Sequence, residues 1–189
     1  MTREALYALL EENPVIAAIK NEEGLQRCLQ AENPVVFILA ATLNTIAPMV
    51  EQLKAGGKTV FVHMDLIEGL SQREEAVDFL ARFTKADGII STRPNLIRHA
   101  SALGLLTVQR YFLLDSKSLR NVVKAGTPDS ADLVEVLPGV MPKVIRQLSA
   151  TLQVPLVAGG LISDKEDAIA ALGAGAAAIS TSCEAVWFL

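Results

Sequence analysis

A chain of 189 residues is long enough for one well-buried domain and short for two. Its net charge of −4 argues, on average, against a nucleic-acid partner. No apolar run approaches the ~18 residues of a membrane span, and Met1-Thr2-Arg3-Glu4 lacks the basic-then-apolar start of a signal peptide, so a cytoplasmic protein is expected.

The first dozen residues read as a helix outside the pattern that follows. Eight apolar runs then predict strands at Val15–Ile19, Val35–Leu39, Thr59–His63, Gly88–Ser91, Leu105–Tyr111, Leu133–Leu137, Pro155–Ala158 and Ala176–Ser180. They start 17 to 29 residues apart, the span of a strand, a helix and their loops. Between them lie helix signals. Asn44 precedes Ile46, Met49, Val50 and Leu53 at i, i+3, i+4 and i+7, with Gly56-Gly57 behind. Ser71…Glu74 and Ser163…Glu166 have capping-box spacing, and Pro142 suits a first helical turn. Gly104, Gly126 and Gly173 stand where helix C-caps are expected.

Eight β/α units predict an α/β fold, a compact (β/α)8 TIM-type barrel with an extra N-terminal helix, over residues 1–189 as a single domain. An open doubly wound sheet is the alternative. It is disfavoured because Ile-Lys-Asn-Glu-Glu, not a glycine-rich dinucleotide fingerprint, follows the first strand. Cys183–Leu189 reads as a truncated closing helix. Cys28 and Cys183 are isolated in apolar company, which points away from a disulfide or metal role.

In a barrel, chemistry gathers where strands end. The candidates there are Lys20, Thr42, His63, Asp65, Arg93, Gln109, Arg110, Glu135, Gly159-Gly160 and Ser180-Thr181-Ser182. The two small-residue turns follow strands seven and eight, the usual seat of a phosphate, where bare amides and hydroxyls donate to an anion. His63 and Asp65 share a strand face, either as a ligand-facing pair or as a buried histidine anchored by a carboxylate. Glu135 lies between Val134 and Val136 and needs a partner or the barrel mouth; Lys20 and Arg110 are the partners at hand. Lys20 and Arg93 are cations placed to meet a phosphate. Catalytic signatures are thin: the histidines and cysteines form no metal-ligand cluster, and no nucleophile elbow or Walker loop is present.

Charge is unevenly spread. Residues 82–124 hold eight basic and two acidic side chains, a net +6, against −10 for the remainder. Lys117, Arg120 and Lys124 form one helical stripe within that segment, read either as a solvated face or as contacts to an anionic macromolecule.

Several blocks, in order along nearly the whole chain, resemble the glycerol-3-phosphate-responsive antiterminators of bacteria. They are residues 57–70 (Gly-Lys-Thr-Val-Phe-Val-His-Met-Asp-Leu-Ile-Glu-Gly-Leu), 87–93 (Asp-Gly-Ile-Ile-Ser-Thr-Arg), 109–116, 135–139, 158–166 and 180–182. The resemblance implies a barrel that binds glycerol-3-phosphate as effector, needs no cofactor, and acts on the leader RNA of glycerol-utilisation genes so that a terminator hairpin does not stop transcription. It implies Gly159, Gly160, Thr181 and Ser182 at the phosphate. Lys20, His63, Asp65, Arg93 and Glu135 are expected at the polyol end, chiefly from strand-end geometry. RNA contacts fall to Lys117, Arg120 and Lys124, with Arg98; Tyr111 and Phe112 lie near but are expected in the core. One departure from the family pattern is Ala41-Thr42, where a Gly-Asp-like pair is expected after strand two. The alternatives are a triose- or sugar-phosphate enzyme with Asp65 and Glu135 as acid and base, and a metabolite sensor acting on a protein partner. The sequence leaves the oligomeric state open.

Overall fold

The valine-, isoleucine- and alanine-rich runs can be buried on both faces, which a parallel strand between a barrel interior and a helix layer requires. In a computed structural model describing residues 1–127 and 129–189, they form the strands β1 (Val15–Ile19), β2 (Val35–Ile38), β3 (Thr59–His63), β4 (Gly88–Ser91), β5 (Leu106–Phe112), β6 (Leu133–Leu137), β7 (Leu156–Gly159) and β8 (Ala178–Thr181). All pair in parallel and close in the ring order β1-β8-β7-β6-β5-β4-β3-β2. Four strands match their predicted bounds; β2 ends one residue early, and β5, β7 and β8 shift by one or two residues at both ends.

The helices are α1 (Arg3–Glu12), α2 (Glu22–Gln30), α3 (Ile46–Ala55), α4 (Glu74–Phe83), α5 (Pro94–Ala102), α6 (Ser116–Ala125), α7 (Pro142–Ser149), α8 (Lys165–Gly173) and a short α9 (Glu184–Trp187). No helix among the described residues is long and apolar enough to cross a membrane. Strand alternation divides the core. Ile16, Ala18, Phe37, Phe61, Val108 and Val157 fill the barrel interior, with Phe37 and Phe61 edge-to-face at 5.6 Å. Leu6 and Leu10 of α1 join this cluster and cover the end where the strands begin. Asp132 holds α1 there, accepting from Arg3 Nε (2.6 Å) and, through its carbonyl, from the Tyr7 hydroxyl (2.9 Å). Outward residues such as Val36, Val60 and Ile89 meet the helices in one cluster, and Val134, Val136 and Ile179 do so in another.

Three local expectations are corrected. The N-cap of α4 is Arg73, without a side-chain cap bond, so Ser71…Glu74 is not a capping box. At α8 the cap sits one residue later: Asp164 accepts from Asp167 N (2.8 Å), while Ser163 donates through both N and Oγ to the Asp167 carboxylate, each at 3.0 Å. Gly173 is helical, and the left-handed position belongs to Gly175 (φ 101°), where a glycine avoids the Cβ clash. The loops after β2 and β3 are joined by a two-residue parallel ladder, Ala41–Thr42 with Ile67–Glu68, on one side of the mouth.

Candidate functional site

The inward positions change from apolar to polar near the strand ends. Arg110 on β5 and Glu135 on β6 are register partners facing the barrel interior, both buried. Arg110 Nε donates to Glu135 Oε2 at 2.5 Å and Ser180 Oγ of β8 donates to Oε1 at 2.5 Å, so both carboxylate oxygens are engaged. A buried carboxylate persists only when paired in this way. Gly159 of β7 makes room for the cluster. A Cβ there would stand 2.5 Å from Glu135 Oε1 and 2.6 Å from Ser180 Oγ, so glycine is required by clearance.

Above this floor opens a cavity of about 610 Å³. Lys20, Arg110, Glu135 and Ser180 line it, together with Gly160–Ser163 after β7 and Thr181–Cys183 at the end of β8. The β7 turn runs through Gly160 (φ 73°) and Leu161 (φ 62°), and the second of these is unusual for a branched side chain. Local bonds hold the turn. Thr181 Oγ1 donates to the Ile162 carbonyl (2.6 Å) and accepts from Cys183 N (3.0 Å), while Gly139 N donates to the Gly160 carbonyl (3.0 Å). The Thr181 hydroxyl therefore braces the loop, whereas Ser182 is exposed.

Of the residues expected at the polyol end, Lys20 and Glu135 line this cavity; His63, Asp65 and Arg93 stand outside its lining. Asp65 is held in a separate network. Its Oδ1 accepts from Ser91 Oγ (2.9 Å), and its Oδ2 from Thr92 N (2.7 Å) and Oγ1 (2.9 Å). Arg93 Nε lies 3.6 Å from Asp65, and its guanidinium donates to Gln72. His63 is buried, its Nδ1 without a hydrogen-bond partner and 4.0 Å from Asp65 Oδ2. Burial, and then the nearby Arg110 charge, push the His63 pKa down to about 4; Asp65 pulls weakly the other way. His63 is neutral at pH 7. Thr42 lines a second, smaller cavity of about 270 Å³ that shares Lys20 with the first.

The basic segment is less basic on its surface than in its sequence. Arg110 is inside the barrel, bonded to Glu135, and Arg93 lies 3.6 Å from the Asp65 carboxylate. Arg98 on α5 and Lys117, Arg120 and Lys124 on α6 are exposed. They belong to units four and five, across the ring from β8 and β1. Phe112, expected in the core, is 52% exposed at the end of β5. The strand runs past its predicted end at Tyr111 and carries Phe112 to the rim. Among the described residues no three His, Cys, Asp or Glu side chains form a metal site.

Arg110 and Ser180 were legible as polar residues at strand ends, but their joint grip on Glu135 depends on barrel closure. The strongly apolar context of Glu135 was the signal that it needed a partner.

Comparison with known proteins agrees with this architecture. A family model described as "Glycerol-3-phosphate responsive antiterminator" matches residues 15–187. The protein YgcP of Escherichia coli (strain K12) is 41% identical over 184 residues, covering 97% of this chain and 96% of its own. A crystal structure of the glycerol uptake operon antiterminator regulatory protein from Listeria monocytogenes superposes with a TM-score of 0.83 at 32% identity, covering 90% of this chain and 92% of that one. A glycerol uptake operon antiterminator-related protein from Thermotoga maritima gives 0.79 at 36% identity, with coverage of 92% and 96%. More distant sugar-phosphate enzymes, among them an N-acetylmannosamine-6-phosphate 2-epimerase from Clostridium perfringens at 17% identity, share the fold alone. With its closed parallel barrel and a family match spanning all eight strands, the chain belongs to the glycerol-3-phosphate-responsive antiterminator family.

Proposed function

We propose that this protein senses glycerol-3-phosphate and, when loaded, binds the leader RNA of glycerol-utilisation genes to prevent premature termination. The observation that carries the reading is the mouth cavity, whose volume falls in the range of small-molecule sites and which joins two cations to a glycine turn, in a chain of this family. The phosphate lies against the Gly160–Ser163 turn and Ser182, with Lys20 as counter-charge. The glycerol hydroxyls face Arg110 and Glu135. RNA phosphates meet Arg98, Lys117, Arg120 and Lys124. Ligand acts by binding the RNA-competent state more tightly than the other.

A regulatory role is favoured over turnover by the two carboxylates of the enzyme alternative. Both oxygens of Glu135 and both of Asp65 already accept hydrogen bonds, and only Glu135 lines the cavity. An acid/base pair needs proton access to one bound substrate.

Calorimetry with glycerol-3-phosphate, glycerol and inorganic phosphate tests the ligand, and RNA binding with and without ligand tests the output. Glycerol-3-phosphate is expected to bind with one-to-one stoichiometry, more tightly than either fragment, and to raise RNA affinity. RNA binding indifferent to glycerol-3-phosphate refutes the sensor. Turnover of phosphorylated trioses, lost in Glu135→Gln, establishes the enzyme instead.

A further inference from the structure

We propose that Phe112 and Leu114, at the rim of the barrel mouth, form a stacking platform for an unpaired RNA base, with Lys117 and Arg120 meeting the flanking phosphates. This rests on the RNA-binding reading above and assigns its contact point. Phe112 is 52% exposed and Leu114 86% exposed, both just past the last buried residues of β5. The other exposed phenylalanines are already covered by cations: Arg82 lies 5.9 Å from the ring centroid of Phe83, and Arg27 lies 5.3 Å from that of Phe188. Phe112 has no ring or cation contact among the described residues.

The platform is pre-formed. Leu114 N donates to Ser118 Oγ (3.0 Å), and Asp115 caps α6 by accepting from Lys117 N (2.9 Å) and Ser118 N (2.7 Å). That fixes the β5–α6 connection before any partner arrives. Asp115 is the sole acidic residue in 112–124 and is turned onto the α6 amides, while Lys117, Arg120 and Lys124 are exposed. An exposed aromatic face beside such a cationic stripe suits single-stranded nucleic acid: the ring offers a sequence-tolerant stacking surface and the stripe offers counter-charge.

The rim also adjoins the ligand cavity. Phe112 is the register partner of Leu137, and Leu113 N donates to the Leu137 carbonyl (2.8 Å). Leu137 lines the cavity and packs against Gly160, where an added Cβ would lie 3.0 Å from its Cδ2. A base on Phe112 therefore sits one side chain away from the turn proposed to hold phosphate.

The test uses a fluorescein-labelled pool of random-sequence, single-stranded RNA 20-mers, with saturating glycerol-3-phosphate, read by anisotropy over a salt series. Phe112→Ala is expected to weaken binding about 5- to 150-fold at unchanged salt slope, as loss of one stacked base implies. Phe112→Trp restores affinity and Phe112→Leu does not. Lys117→Ala lowers the salt slope by roughly 0.7, the effect of one single-strand phosphate contact. Calorimetric affinity for glycerol-3-phosphate stays at the wild-type value in Phe112→Ala. Wild-type binding that Phe112→Ala leaves intact overturns this assignment while leaving RNA binding standing. No binding of the pool by the wild type overturns the platform, because stacking on Phe112 is sequence-tolerant, while the leader-RNA reading stands or falls by the assay given for it above. Self-association that Phe112→Ala abolishes, with RNA affinity unchanged, assigns the rim to a second copy of the chain and overturns the proposal.

Discussion

Removing the charge of Glu135 should destabilise the barrel, and removing its partner's charge as well should largely reverse the loss. Glu135 is 0% exposed and Arg110 6%, joined at 2.5 Å. Glu135→Gln preserves the side chain's shape but strands a buried guanidinium without its counter-charge, which costs about 3–5 kcal/mol. For a chain of this size each kcal/mol lowers Tm by about 2–4 °C, giving an expected loss of about 6–20 °C. Arg110 borders the open cavity and keeps water on one side, so the lower half of that range is expected. The double variant Arg110→Met/Glu135→Leu removes both charges and their desolvation penalty, and is expected to melt near the wild type. Thermal unfolding of the wild type, Arg110→Met, Glu135→Leu and the double variant forms a double-mutant cycle whose coupling energy is the pair's own. Single variants that melt like the wild type, or a double variant whose loss equals the sum of the singles, refute the claim that the two charges compensate each other. The stable double variant should still lose glycerol-3-phosphate affinity, which separates the site's role from the fold's.

Gly159→Ala forces a methyl against Glu135 and Ser180, so a loss of about 1–3 kcal/mol is expected in urea unfolding, whereas Gly173→Ala, with nothing within 4 Å, is tolerated. His63 titrates near 6.5 when unfolded and about 4 when folded, so the unfolded state takes up the proton first as pH falls. Its contribution is complete above pH 6.5 and is lost between 6.5 and 4, by about 3 kcal/mol in total. Denaturant midpoints across that window should fall less steeply in His63→Gln; equal slopes would show that His63 is protonated in the folded state. Lys20→Ala should weaken glycerol-3-phosphate binding in calorimetry at least about 10-fold with Tm unchanged, since Lys20 is exposed and a charged hydrogen bond is worth about 1.5–3 kcal/mol; unaltered affinity places the phosphate elsewhere.

The barrel was legible because buried parallel strands are written as short continuous apolar runs, and a β/α unit has a narrow range of lengths. Val15–Ile19 carries that signal uninterrupted and Leu133–Leu137 carries it on either side of Glu135, and both match to the residue. Where burial ends, the strand end moved: β5 continues to Phe112 because its pairing with Leu137 outlasts its burial. Caps were less legible because Ser163, Asp164 and Asp167 all offer side chains competent to cap, and only three-dimensional geometry selects Asp164.

The site was legible in its membership more than in its division of labour. Gly159-Gly160 and Ser180-Thr181-Ser182 read as a single anion cradle, yet each residue answers to a different constraint. Gly159 clears space for Glu135, Gly160 takes a left-handed turn, Ser180 satisfies Glu135, and Thr181 ties down Ile162. None of these partners is near in sequence: Arg110 and Glu135 are 25 residues apart, Ser180 and Glu135 45. What joins them is inward parity on strands of a closed ring, a property of register that no local pattern encodes. For a sensor this arrangement has a consequence. A turn already fixed by Thr181 and Gly139 needs little ordering to receive a phosphate, so more of the binding energy remains to favour one state of the mouth over another.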